Sequence, residues 1–161
     1  IINSFLHAVK KENLNSKLIV LTRKIDNRPI FSIFKSKHIE FIEGDIRSFK
    51  FFNKKIDFII HGATTSAKET FNNQNSLEKF DIIFNGTKRI LEFAKKNNCK
   101  NLLYISSGSA YGEFKKKVKE NNFNSPNTVD LNFEKSVLGQ SKRSAEMLCM
   151  IYSNKLKKSK T

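Results

Sequence analysis

The sequence contains no tryptophan, only two cysteines and two prolines, and six glycines in 161 residues. Cys99 and Cys149 are too few for a disulfide framework and are not spaced as CxxC, which fits a reducing cytosol. So little Gly and Pro excludes collagen-like chains, and the short, varied hydrophobic periods exclude a long coiled coil. No apolar run approaches the roughly 18 residues that would span a bilayer, so no membrane partner is expected. The first residue is Ile1, and no charged segment leads into an apolar stretch, so no secretory signal is expected. The length suits one domain able to bury a core.

Acidic side chains are scarce as well: 15 Asp and Glu face 30 Lys and Arg, for a net charge of +15. The basic residues divide into 25 Lys and 5 Arg. Recognition of base edges and phosphates favours the planar fork of Arg. Lysine spread along the chain, densest at 115–117 and 155–160, instead reads as a solvated basic surface, with no specific nucleic-acid partner. The 15 Phe lie within strand and helix patterns and read as core, with no alternating basic and aromatic motif of an RNA-binding sheet.

Periodicity orders the chain. Ile2, Phe5, Leu6, Val9 and Leu14 predict an amphipathic helix over 2–14. Short apolar runs predict strands at 17–22 (KLIVLT), 38–42 (HIEFI), 56–60 (IDFII) and 101–106 (NLLYIS). A long helical pattern covers 75–98 through Leu77, Phe80, Ile83, Phe84, Thr87, Ile90, Leu91 and Ala94. A polar, Lys- and Asn-rich loop follows over 108–135. A last helix runs from Ser136 to about Leu156 with Leu138, Ala145, Leu148, Cys149 and Tyr152 as its apolar stripe, and the basic end, 155–161, reads as a frayed tail. Strands alternating with helices predict βαβ units and a mostly parallel sheet.

Small and polar residues follow each strand: Thr22-Arg23, Gly44-Asp45, Gly62-Ala63-Thr64 and Ser106-Ser107-Gly108. In open parallel sheets, ligands bind beyond the carboxyl ends of strands, where small side chains admit close approach. Other chemistries fit less well. His7, His38 and His61 are not at ligand spacing with either cysteine, so no metal site is expected, and His61 reads as a strand-end residue making a local hydrogen bond. Ser107, His61 and Asp45 lack the G-x-S-x-G elbow of a hydrolase, and Glu113 and Glu120 form no convincing carboxylate pair.

Five segments in order carry a resemblance. They are Gly44-Asp45-Ile46-Arg47, His61-Gly62-Ala63-Thr64-Thr65, Asn85-Gly86-Thr87-Lys88-Arg89-Ile90-Leu91-Glu92, Ser106-Ser107-Gly108-Ser109-Ala110-Tyr111-Gly112, and Gly139-Gln140-Ser141-Lys142-Arg143-Ser144-Ala145-Glu146. The chain resembles the extended short-chain dehydrogenase/reductase family, in its NAD(P)-dependent nucleotide-sugar epimerase/dehydratase branch. The resemblance implies a Rossmann-like α/β fold with a doubly wound parallel sheet. It implies NAD or NADP as cofactor, a nucleotide-sugar substrate, a cytoplasmic location and a homodimer of the full-length protein. It places Asp45 and Ile46 at the adenine ring and Ala63 and Thr64 along the ribose and diphosphate. Ser107 would hydrogen-bond the sugar hydroxyl, and Lys142 would be the lysine of the Tyr-x-x-x-Lys pair, serving catalysis and cofactor binding alike. Residues at i and i+4 share a helix face, so that ammonium would lie beside a phenol and lower its pKa towards use as a base. The second family strand ends Leu21-Thr22-Arg23 with no acidic residue where NAD users place one for the ribose hydroxyls, so Arg23 is either a partner for the 2′-phosphate, which leans towards NADP, or a solvated loop residue.

The chain departs from the family at three places. Leu138 stands where the tyrosine is expected, either as an apolar residue facing the core or as the loss of the general base. Ile1-Ile2-Asn3 aligns with the end of the Gly-rich turn, with Asn3 at a glycine position where a side chain would crowd helix–strand packing. The family's first strand, central in the order 3-2-1-4-5-6, is then missing, and the sheet lacks a middle rung. The C-terminal substrate lobe is missing too. Residues 1–161 therefore read as a partial NAD(P)-binding Rossmann domain with no second domain, about half of a longer protein. The alternative to an active epimerase/dehydratase is a non-catalytic relative or gene fragment.

Overall fold

The computed structural model describes residues 1–26, 31, 35–65, 75–112 and 136–158. The apolar spacing of Ile2, Phe5, Leu6 and Val9 forms helix α1 over Ile2–Lys11, with Val9 buried. Lys10 and Lys11 put positive charge on its last turn, where unpaired carbonyls favour it. The helix stops three residues short of the expected end. Asn13 turns left-handed at φ 49°, which Asn tolerates better than most residues. The Leu14 amide then bonds back to the Val9 carbonyl at 3.0 Å, and Leu14 is exposed rather than part of the stripe.

Two compact units share the chain, Ile1–Lys50 and Phe51–Thr161. In the first unit β1 (Leu18–Thr22) pairs in parallel with β2 (Ile39–Glu43), in register from Leu18↔Ile39 to Thr22↔Glu43. The Glu43 carboxylate accepts from the Ile25 amide at 2.7 Å, tying the turn after β1 to the end of β2. Gly44 continues the ladder by donating to Thr22 O at 2.8 Å. A side chain is excluded there, because a Cβ would lie 2.9 Å from that of buried Phe49.

In the second unit Phe51 and Phe52 pack on the Phe93 ring at 5.3 and 4.8 Å, with the Arg89 guanidinium 4.2 Å over Phe51. The strand β3 (Phe58–His61) begins two residues later than expected and pairs in parallel with β4 (Asn101–Tyr104), in register from Phe58↔Asn101 to His61↔Tyr104. Helix α2 (Ser76–Lys96) starts where Asn75 Oδ1 accepts from the Leu77 amide at 2.8 Å, a side-chain cap. It ends before Asn98, which is left-handed at φ 51°. Its buried face includes Ile82, Ile83, Gly86, Thr87, Ile90, Leu91, Phe93 and Ala94. Leu77, in the first turn, stays exposed, unlike the rest of the stripe expected for this helix. Helix α3 (Ser136–Lys158) packs on α2 and on a 3₁₀ turn, Gly108–Tyr111, at the start of the expected loop. The helix includes residues 155–158, which were expected to fray. Beyond Gly112 that loop, with Glu113 and Glu120, and the last three residues lie outside the described residues.

The described strands form two two-stranded parallel sheets, β1-β2 and β3-β4. Each is a neighbouring pair in the order 3-2-1-4-5-6 expected for a doubly wound α/β fold. Alternation sends His61 and Tyr104 to the helix side of their sheet. Phe58, Ile60, Leu103 and Ile105 occupy the opposite face and are exposed, Phe58 at 73%. Phenylalanine therefore does not mark the core everywhere. Contiguous apolar surface of this kind is uncommon on a free protein. The isolated chain should bind a hydrophobic dye through this face, and Leu103→Lys should lower the dye signal while leaving urea stability within about 0.5 kcal/mol. A stability loss above roughly 1 kcal/mol would show that Leu103 is covered.

Candidate active site

Strand β4 leaves the sheet at Tyr104, and the next residues meet α3. Gly139 makes this meeting close: a Cβ there would lie 2.2 Å from the Ser109 carbonyl oxygen. Two residues on, Ser141 is fully buried and its hydroxyl donates to Val137 O at 2.5 Å. Lys142 follows, 3% exposed, and its Nζ donates to the Ile105 carbonyl at 2.8 Å while lying 4.9 Å from the Tyr104 ring centroid. Burial lowers the Lys142 pKa, and Glu146, one turn further along α3, opposes that shift. The Glu146 carboxylate accepts the Ser106 hydroxyl proton. Ser107, half-buried, caps the 3₁₀ turn by accepting from the Ser109 amide at 3.2 Å. Ser107 and Lys142 thus converge on one strand end, two residues apart through Ile105.

Beneath them lies a buried polar group. Thr87 donates to Ile83 O at 2.6 Å, so the 3.0 Å contact between His61 Nε2 and the Thr87 hydroxyl is assigned with the imidazole donating. His61 does end its strand, but its partner is 26 residues away, a tertiary contact rather than a local one. Burial, then the Lys142 charge, holds the His61 pKa down to about 4. The Tyr104 ring lies 5.6 Å from that of His61, and its hydroxyl is buried near Thr87 without a hydrogen bond of ordinary geometry. Burial raises the pKa of this phenol, so Tyr104 is no substitute for a catalytic base. Leu138, one turn before Lys142, is half-buried rather than enclosed in the core.

After β3, Gly62 and Thr64 are exposed and Ala63 is half-buried. In the first unit Arg47 grips the Asp45 carboxylate through Nε at 2.9 Å and a terminal nitrogen at 2.8 Å, and its amide adds a bond at 2.8 Å. These bonds, with a smaller contribution from Arg23, hold the Asp45 pKa below its usual value. Ile46 is half-buried and Arg23 exposed. Asn3 is exposed in the first turn of α1, clear of the crowding expected of it. Among the described residues no three His, Cys, Asp or Glu gather as a metal site, and no helix is long and apolar enough to cross a membrane.

The sequence profile of the NAD dependent epimerase/dehydratase family matches residues 4–158. The chain belongs to this family. It is 30% identical over 118 residues to the bifunctional protein GAL10 of Candida maltosa, covering 70% of this chain and 73% of that one. The UDP-glucuronic acid 4-epimerase of Bacillus cereus, in complex with NAD, superposes with a TM-score of 0.69 at 22% identity over 95% of this chain and 49% of its own. The dTDP-glucose 4,6-dehydratase of Bacillus anthracis, also with NAD, gives 0.63 at 20% identity over 96% and 48%. The chain spans about half the length of these solved relatives.

Within this epimerase/dehydratase framework, the Ser106–Glu146 pair and the His61–Thr87–Tyr104 group went unassigned in the sequence. Glu146 could have been found, since it lies four residues after Lys142 and so on the same helix face. The His61–Thr87 contact left no local signal.

The His61 environment has a pH consequence. Its folded pKa of about 4 lies below the ordinary 6.5, so the unfolded chain takes up a proton that the fold refuses in between. Stability therefore falls as pH drops through that window, by roughly 3 kcal/mol in all. Urea unfolding at pH 7 and pH 5 should show His61→Gln losing about 2 kcal/mol less than the parent. Equal losses would contradict burial of neutral His61.

Proposed function

We propose that the protein containing this chain binds NAD and a nucleotide sugar and acts in epimerisation or dehydration of the sugar. The observation that carries this reading is Lys142, buried and anchored to the Ile105 carbonyl two residues before Ser107. The residues present suit the dinucleotide. Among the described residues, a Cβ on Gly108 would meet nothing within 4 Å. Exposed Gly62 and Thr64 allow close approach of the ribose and diphosphate, with Ala63 beside them. Arg47 fixes the Asp45 carboxylate as an acceptor for the adenine amine, with Ile46 against the ring. NAD is favoured over NADP by the NAD-bound solved proteins of similar fold.

Bound NAD supplies a reversible hydride acceptor. Ser107 orients the sugar hydroxyl through its own hydroxyl group, and Lys142 holds the ribose and provides positive charge beside the reacting oxygen. Leu138 offers no atom that can take the proton. Binding is therefore retained while the proton-coupled step is slow. That same residue favours a second reading, a non-catalytic relative that binds the cofactor without turnover.

The free thiols of Cys99 and Cys149 support a cytoplasmic location. Met147, Met150 and Ile151 are exposed at helical spacing on α3 and offer a surface for a second copy, so a homodimer belongs to the same proposal.

Leu138→Tyr in the full-length protein should raise turnover of a UDP- or dTDP-hexose by on the order of 100-fold, the contribution of a positioned acid–base group. NADH fluorescence should report binding in both parent and variant. A folded, NADH-binding variant with no gain would overturn the enzymatic reading in favour of the non-catalytic one. Absence of NADH binding in both would overturn the two together.

A further inference from the structure

The Ser106–Glu146 hydrogen bond joins two segments 40 residues apart. Ser106 immediately precedes Ser107, and Glu146 lies one helical turn beyond Lys142. Lys142 in turn reaches Ile105, the residue before Ser106. Two bonds donated in opposite directions thus lace α3 to the end of β4: Lys142 to the Ile105 carbonyl, and Ser106 to the Glu146 carboxylate. A hydroxyl bound to a carboxylate is a charge-assisted contact, stronger and more directional than a neutral one.

We infer that Glu146 is a positioning residue for the site: it fixes the strand end that presents Ser107 and supplies the counter-charge for the buried Lys142 ammonium. The inference rests on the proposed function of Lys142 and Ser107 and adds what holds them. The groups facing Lys142 come from three elements. His61 on β3 is neutral at pH 7, since burial depresses its basicity. Tyr104 on β4 is neutral too, its phenol raised by burial. On α3 itself, Cys149 is a thiol raised by burial, and Glu146 is the acidic group that acts on Lys142. Among the described residues its carboxylate, one turn along α3 from Lys142 and held by Ser106 next to the Ile105 anchor, is the negative charge that opposes desolvation of the ammonium, while its second function is the bond to Ser106.

Those two functions separate experimentally. Glu146→Gln keeps an oxygen that can accept from Ser106 but removes the charge. Ser106→Ala removes the bond but keeps the charge and frees the carboxylate to turn towards Lys142. In the full-length protein, the Lys142 side chain is titrated by NMR, its signal assigned by comparison with Lys142→Arg, and NADH affinity is measured by fluorescence. Glu146→Gln should move the Lys142 midpoint down by about one pH unit, the effect of losing a nearby opposite charge. Ser106→Ala should move it up, and both variants should weaken NADH binding several-fold. An unchanged Lys142 midpoint in Glu146→Gln would overturn the inference and leave Glu146 as a packing contact. Should Glu146→Gln not fold, Ser106→Ala decides, and an unchanged or lowered midpoint there overturns it. Failure of the parent itself to bind NADH overturns the cofactor reading instead, because the titration is independent of any ligand.

Discussion

An ammonium placed 3% exposed inside a small domain needs a partner, because burying a charge without one costs several kcal/mol. Lys142 finds that partner in the Ile105 carbonyl, a backbone oxygen just past the end of β4. The rest of the second unit is arranged around that contact. Gly139 lets α3 approach the Ser109 backbone closely. Ser141 turns its hydroxyl back onto the helix, and Ala145 is fully buried, so no bulky side chain separates helix from strand. Ser106 and Glu146 close the lace from the other side. Small residues and paired polar groups here serve one end, bringing a long side chain's charge to the end of β4.

The polar group below supports the same contact. Thr87, fully buried, satisfies itself on its own helix and leaves its oxygen for His61. A neutral imidazole in this place adds no second positive charge beside Lys142, and burial together with the Lys142 charge makes protonation of His61 harder. The cost is an acid-sensitive core. Tyr104 contributes a ring under the ammonium rather than a reactive hydroxyl, so its aromatic face matters more than its phenol. With Leu138 one turn before Lys142, that position on α3 carries no phenol to accompany the cation and the serine.

Much of this was legible in the sequence because strand ends in a parallel sheet have a local signature. Apolar runs broken by Gly44-Asp45, Gly62-Ala63-Thr64 and Ser106-Ser107-Gly108 marked the strands and their carboxyl ends. The resemblance also singled out Leu138, four residues before Lys142, where the family pattern expects a tyrosine. Other features depended on choices that periodicity does not record. Asn13 and Asn98 end their helices by turning left-handed, and an apolar residue beyond the turn, such as Leu14, then misleads. Phe58 and Leu103 have the composition of core residues but lie on the sheet face away from the helices. Ser106–Glu146 and His61–Thr87 join residues 40 and 26 apart, and only the fold brings them together.

The most direct test of this account is NADH binding by the full-length protein carrying Lys142→Met, a side chain of similar length without charge or donor. With circular dichroism showing the fold intact, the account predicts at least a roughly tenfold weaker affinity than the parent, about 1.4 kcal/mol. Affinity equal to the parent's, in a folded variant, would contradict the claim that the buried ammonium at the end of β4 organises the site.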